Sequence, residues 1–384
     1  MLAVAVAALL TATAVRELGF WSPEPADPSA TRPLGKPVAV SGRTVSVLGA
    51  GDILLHPEIW DQARRDGGGR FDFRPLFAGA RAAISEADLA LCHLETPIAP
   101  AGGPYQDFPR FSVPEEIVPA IKDTGFDGCS TASNHSIDQG EDGVRRTLDA
   151  LDRGKVGHSG TYRSAKEAAR PTIYSAAGVR VAHLSYTKGF NGISRPPGKE
   201  WIANLVDVKK VQRDAEQARR AGAQIVVVSV HWGTEYAHEP DVDQQLWARG
   251  IAAIDDVDVV FGHHAHVVQP IERVSGKWVV YGMGNQVARH EEPVNENREG
   301  AMVRVTFSPA DRSGRWKVAA VEALPVFVDL NPDIRLVDLE RALADPATPF
   351  ARRRIYEAAV ERVASHLLTR GADSAGLVVR GTTR

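Results

Sequence analysis

The sequence predicts an α/β fold built as a two-sheet sandwich, on three observations. From Thr44 to Phe261, short β-branched runs alternate with helical patterns, as expected for βαβ units whose strands are covered on both faces. After His266 the helices stop and strands follow one another, with helical pattern returning only near the carboxyl end, so an antiparallel second sheet is expected there. Polar residues suited to binding ligands stand at the ends of successive runs, where open α/β sheets hold their sites.

Taken in order, Met1 to Val15 is almost wholly apolar and Ala12-Thr13-Ala14 resembles a small-residue cleavage site, although no Lys or Arg precedes the apolar stretch. Residues 1–21 read as a signal peptide or a membrane anchor, with a buried amino-terminal helix as the plain alternative. Residues 22–42 are proline-rich and polar and form a linker. The main domain is expected over 43–330, with strands at Val45 to Leu48, Asp88 to Leu94, Phe126 to Thr131, Val179 to Tyr186, Ile225 to His231 and Val257 to Phe261. Pro75 and Asp207 open helices over Leu76 to Ser85 and Val208 to Ala221. Strands follow at Val267 to Val274, Trp278 to Tyr281, Ala301 to Phe307 and Trp316 to Val328, and 331–384 reads as a helical extension whose Tyr356, Val360, Val363 and Leu367 recur at helical spacing.

Composition excludes little. Forty-five basic against 48 acidic residues, a net charge of −3, give no electrostatic case for nucleic acid as a partner. Two cysteines, Cys92 and Cys129, lie in apolar runs and read as buried free thiols, with a single bridge between neighbouring strands as the alternative.

The chemistry-bearing residues come in blocks. Asp52 ends the first strand, where a carboxylate can hold a metal or cap a turn. Glu95 ends the second and could bridge two cations, since each carboxylate oxygen can bind a different hard ion. His93 shares its side-chain parity along the strand. Asn134 offers a neutral carboxamide oxygen, His135 an imidazole able to protonate a leaving group, and Asp138 a carboxylate to orient it. His231 ends a near-continuous apolar run, followed by Trp232, Glu235 and Tyr236 as candidates for a substrate pocket, with His56 and Asn285 beside them. In Gly262-His263-His264-Ala265-His266, residues two apart share a face, so His264 and His266 should converge while His263 points away. Imidazoles favour Mn, Zn or Fe over Mg or Ca.

The ordered set Gly51-Asp52, Leu94-Glu95-Thr96-Pro97-Ile98, Ser133-Asn134-His135 with Asp138 and Gly140, His231-Trp232-Gly233-Thr234-Glu235-Tyr236, Gly262 to His266 with Val267-Val268-Gln269-Pro270, and Tyr281-Gly282-Met283-Gly284-Asn285 resembles the CapA family of poly-γ-glutamate capsule biosynthesis proteins. The resemblance implies a four-layer α/β/β/α sandwich of the calcineurin-like metallophosphoesterase type, with two divalent metal ions at strand ends. On that pattern Asp52 would bind the first metal, Glu95 would bridge, Asn134, His231 and His264 would bind the second, His266 would return to the first, and His135 would be the acid. Three departures stand out. Glu95 replaces the shorter bridging Asp of the superfamily. Leu54 occupies the position of the usual Asp-x-His histidine, leaving His56 as the nearest imidazole, and His93 stands where the capsule family often has Asn.

The expected function is capsule biosynthesis at the cell surface, as a secreted or membrane-anchored hydrolase-like protein acting on an anionic polymer or a small-molecule substrate. The rivals are a non-catalytic, polymer-binding subunit working with membrane capsule-synthase subunits, and a secreted phosphoesterase unrelated to capsule.

Overall fold

The computed structural model describes residues 42–290, 294–310 and 315–382. The expected export segment and all but the last residue of the proline-rich linker fall outside them. The described strands are β1 (Val45–Ile53), β2 (Leu89–Leu94), β3 (Gly128–Ser130), β4 (Gly157–Ser159), β5 (Thr172–Ala176), β6 (Val179–Thr187), β7 (Ile225–His231), β8 (Val259–His263), β9 (Ile271–Val274), β10 (Lys277–Val280), β11 (Asn285–Val287), β12 (Glu299–Pro309), β13 (Trp316–Asp329), β14 (Arg335–Asp338) and β15 (Leu377–Val379).

They form two sheets. The first runs β14-β13-β12-β1-β2-β3-β4, with β11 beside β1 and β15 beside β13; the second runs β5-β6-β7-β8-β10-β9. Strands β1 to β4 are parallel, as are β6, β7, β8 and β10, so both sheets direct their carboxyl ends to one rim. The strands after His266 do not make a sheet of their own. Strands β9 and β10 extend the second sheet, whereas β12 joins the first antiparallel to β1 and β13 pairs antiparallel with β12. The carboxyl-terminal segment is likewise not purely helical, because β14 and β15 both pair with β13.

Period-two alternation explains the layering. On β7, Ile225 and Val227 face the first sheet, meeting Val45, Val47, Leu89 and Leu91 in a core between the sheets. The intervening Val226, Val228 and Val230 face outward and pack with Val211 and Ala215 of the helix Val208–Arg220 and with Ala248 and Ile251 of the helix Val242–Ala252. On β2 the outward set is Ala90, Cys92 and Leu94, covered by Ile117 and Ile121 of Ile117–Thr124 and by Val144 and Leu148 of Gly140–Arg153. Each fully buried Val or Leu side chain contributes about 1.5–3 kcal/mol, so both faces of each sheet carry stabilising weight. The result is a four-layer α/β/β/α sandwich.

Asp207 caps its helix by accepting from the Lys210 amide, and Asp241 forms a capping box with Gln244. The single helix expected over Leu76 to Ser85 is broken into short pieces, Arg74–Phe77 and Arg81–Ser85, with a tight turn at Ala78–Ala80 between them. Gly79 fits there because a Cβ would lie 2.3 Å from the Leu336 carbonyl.

Cys92 and Cys129 are not free thiols. They are Cα partners on β2 and β3, 4.4 Å apart, and form a disulfide. Parallel neighbours at one register position bring the sulfurs together without moving the backbone.

Candidate metal centre

The inward rows of the two sheets lose their apolar character as they reach the common rim. On β2 the row Leu89, Leu91 continues as His93 and then Glu95 just beyond the strand; on β7 the row Ile225, Val227 continues as Ser229 and His231; on β8, Val259 and Phe261 are followed by His263. Register aligns these ends, pairing Asp52 with His93, His93 with Ser130, and His231 with His263. The polar residues therefore gather between the facing edges of two sheets, not along one edge of one sheet.

Asp52 is re-aimed by irregular pairing, for the register of β1 shifts against both β2 and β11 beside it. Its Oδ1 lies 3.2 Å from His263 Nδ1 and its Oδ2 accepts from the His264 amide at 2.9 Å. Burial alone would raise the Asp52 carboxyl, but the His263 hydrogen bond and the surrounding imidazoles outweigh it and hold the group well below the carboxylate range.

Glu95 is the opposite case. It is 1% exposed and neither carboxylate oxygen has a hydrogen-bond partner among the described residues. Oε1 stands 3.8 Å from both His231 Nε2 and His266 Nε2. Burial, followed by the Asp52 charge, pushes its carboxyl well above the ordinary range. A buried, unpartnered carboxylate is costly, and a cation between Glu95 and these imidazoles removes that cost. The imidazoles suit the same ion: burial first, and then neighbouring histidines, hold His231 and His264 well below their usual values, leaving neutral rings with lone pairs to give. His264 Nδ1 is also buried with no hydrogen-bond partner among the described residues, Glu235 Oε1 being 4.0 Å away. Ligand atoms within 4.8 Å of one another define four trios, of which Glu95, His231, His264 and Asp52, Glu95, His266 share Glu95, the others being Asp52, His93, His263 and Glu235, His264, His266. Asn134 Oδ1 lies 2.9 Å from His231 Nε2 and so faces the first trio, its amide donating to Asn191. These residues fit divalent metal binding.

His264 and His266 reach the rim through unusual backbone. Both have left-handed φ, 93° and 55°, uncommon outside glycine although His adopts it more readily than most residues, and such backbone is often found at functional sites. Before them, Gly262 is required by close approach, since a Cβ there would sit 1.9 Å from the Tyr281 carbonyl oxygen.

Beside the centre opens a cleft of about 600 Å3 lined by His56, Phe108, Glu235, Tyr236, His290 and Val294, among others. Burial, with the neighbouring His266 adding to it, holds His56 at about 4 and His290 at about 3, so both are neutral at physiological pH. On another side of the centre, His135 Nδ1 lies 2.7 Å from Asp138 Oδ2, which also accepts from the Phe111 amide.

The chain matches the family model described as bacterial capsule synthesis protein PGA_cap over residues 46–290, well over half its length. It belongs to that family. Among curated relatives, the capsule biosynthesis protein CapA of Bacillus anthracis is 31% identical over 183 residues, 46% of this chain and 44% of that protein. The PGA biosynthesis protein CapA of Bacillus subtilis is 29% identical over 219 residues, 54% of each chain. This chain therefore spans about half the length of these relatives. Solved structures similar to it include a putative 5′-nucleotidase from Staphylococcus aureus (TM-score 0.48, 18% identity, 75% of this chain and 55% of that one) and the calcineurin-like phosphoesterase YfkN from Bacillus subtilis (TM-score 0.45, 14% identity, 84% and 97%).

Within this capsule-synthesis family member the structure brings together Asp52, Glu95, Asn134, His231, His264 and His266, with His135 and Asp138 paired nearby. Two expectations fail. Trp232 does not wall the pocket: it follows inward-facing His231, so alternation sends it outward, fully buried, where its indole donates to the Tyr281 carbonyl. His263 does not point away, because β8 continues through it and parity with Phe261 turns it inward against Asp52. Asn285 is a support, not a cleft residue; its Oδ1 lies 2.9 Å from His266 Nδ1 and its amide faces His290 Nε2 at 3.1 Å. Glu235, Tyr236 and His56 do line the cleft. His290 was missed. It lies in a polar loop beyond β11 and carries no periodic signal.

Proposed function

We propose that this chain is a capsule, or poly-γ-glutamate, biosynthesis protein that works as a metal-dependent hydrolase at the cell surface. The observation that carries the reading is Glu95, a buried carboxylate with both oxygens unpartnered between two sets of neutral imidazoles. Two divalent cations held there, Mn, Zn or Fe by the donor types, supply the positive charge that polarises water and the scissile group. The chain does the rest. Glu95 and Asp52 carry the balancing negative charge; Asn134, His231, His264 and His266 fix the positions. His135, oriented by Asp138, gives a proton to the leaving group. The cleft by Tyr236 and His290 receives the group flanking the bond that breaks.

Two features support an exported location. The Cys92–Cys129 disulfide is a bond that persists in oxidising compartments, and Met1 to Val15 has the composition of an export segment or anchor. The relatives' names, capsule biosynthesis protein and PGA biosynthesis protein, support a capsule polymer as the substrate class. The test is elemental analysis of the purified chain, then hydrolysis assays of the metal-loaded protein on phosphomonoesters, phosphodiesters and poly-γ-glutamate. The reading stands if about two transition-metal ions copurify or load per chain and a substrate is turned over. A chain that takes up no metal and cleaves nothing sinks it. Substituting Glu95 and His231 by Ala in cells then separates catalysis from assembly, since unchanged polymer production at normal protein levels would assign a non-catalytic role.

A further inference from the structure

One imidazole of the centre stands outside the two positions that share Glu95. His93 is fully buried, and both of its ring nitrogens are engaged: Nε2 lies 2.9 Å from His231 Nδ1 and Nδ1 lies 2.7 Å from Ser130 Oγ. We propose that His93 is a positioning residue that selects the tautomer of His231 with a free Nε2 lone pair and so makes the Asn134, His231, His264 position competent for a cation. This rests on the reading of that position as a cation site.

The hydrogen bonds have a consistent direction. With the Ser130 hydroxyl donating to the Cys92 carbonyl 3.3 Å away, Oγ is free to receive the His93 Nδ1 proton at 2.7 Å. His93 Nε2 is then an acceptor and takes the proton of His231 Nδ1. That leaves His231 Nε2 bare, facing Asn134 Oδ1 at 2.9 Å and Glu95 Oε1 at 3.8 Å. The competing arrangement runs the other way, with a His231 Nε2 proton donated to Asn134, and it blocks a cation. A cation would select the first arrangement, because it needs the lone pairs of both His231 Nε2 and Asn134 Oδ1, which face each other at 2.9 Å.

The fold holds the relay rigid. His93 and Ser130 are Cα partners on adjacent parallel strands, and Cys92 and Cys129, one residue earlier on each, are disulfide-bonded. The His263 ring stacks on His93 with centroids 4.1 Å apart and planes 18° from parallel, opposing a ring flip. Partners of this kind orient metal-binding histidines, and their loss costs roughly 10–100-fold in metal affinity.

The experiment is calorimetric titration of the metal-stripped full chain with Mn2+ for the wild type, His93→Leu and His93→Gln. Leucine has no acceptor for the His231 Nδ1 proton; the glutamine carboxamide oxygen restores one. The expected result is two cations for the wild type, one of them weakened about 10–100-fold in His93→Leu, and recovery in His93→Gln to within a few-fold. His93→Leu binding both ions with wild-type affinity would overturn the role of His93 while leaving the metal centre intact. Equal losses in Leu and Gln variants would also overturn it, by assigning the effect to ring packing. A wild type that binds no Mn2+ removes the underlying reading and this one with it. If His93→Leu does not fold by circular dichroism, Ser130→Ala replaces it. Weakened binding of one ion then supports the relay, and unchanged affinity for both overturns it.

Discussion

The two halves of the centre share Glu95 but are built differently. The half with Asn134, His231 and His264 draws on a loop after β3, the end of β7 and the turn after β8, and its key imidazole is backed by a buried hydrogen-bonded ring. The half with Asp52 and His266 has fewer donors. Leu54, 4% exposed and apolar, stands where the resemblance leads one to expect an imidazole, and the Asp52 oxygens already accept from His263 and the His264 amide. The difference teaches that, on the proposed reading, two cations sharing this bridge would not be held equally. The half richer in donors and in supporting hydrogen bonds should fill first and release last.

Removing the shared residue should have the largest effect. Glu95→Ala is expected to lower metal content from about two ions per chain to less than one and hydrolytic turnover by roughly 10³-fold or more, read by elemental analysis and steady-state kinetics. His135→Ala is expected to slow turnover by about 10²–10⁴-fold while leaving metal content unchanged, because His135 bonds Asp138 and not the shared carboxylate. The sharpest comparison of the two halves is His231→Ala against His266→Ala. Each should cost one ion, with the ion remaining in His266→Ala the tighter of the two by calorimetry. Equal affinities for the two remaining ions would erase the asymmetry.

Smaller effects concern the frame. Gly262→Ala forces a Cβ against the Tyr281 carbonyl and should destabilise the fold by about 2–3 kcal/mol, read as a lower urea midpoint. His183 lies beneath the centre, fully buried, its Nε2 2.9 Å from Ser229 Oγ. Burial, with the His263 charge adding to it, lowers its folded value from 6.5 to about 3. The unfolded chain therefore binds the proton more readily. The stability His183 contributes is full above about pH 6.5 and declines as pH falls toward 3. His183→Gln should flatten the fall of the urea midpoint across that window, and an unchanged slope would show that other groups control it.

Much of this centre was legible in the sequence because the relevant code is local. Strand parity carried His93, Glu95 and His231 to one face, and apolar runs ending in Asp52, His231 and Gly262 marked where the ligands would stand. The errors came where local rules meet long-range ones. Trp232 was misplaced although the alternation that faces His231 inward also faces Trp232 outward. His263 was misread because its parity follows β8 whereas His264 and His266 obey a turn with left-handed φ, which nothing in their side chains announces. The strands after His266 were assigned to one new sheet because pairing partners are not written in a strand's own residues. His290 enters through a loop without periodicity.

The sequence by itself determined the elements, the side-chain types and the order in which they reach the rim, since these follow from propensity, period and the chemistry of each residue. Only the tertiary structure decided that the two sheets face each other, that His93 stacks on His263 across the gap, that Cys92 meets Cys129, and that Glu95 lies unpartnered between imidazoles from separate strands. Those facts depend on pairing and packing between residues up to hundreds of positions apart, a choice made by the free energy of the whole chain and not by any single segment of it.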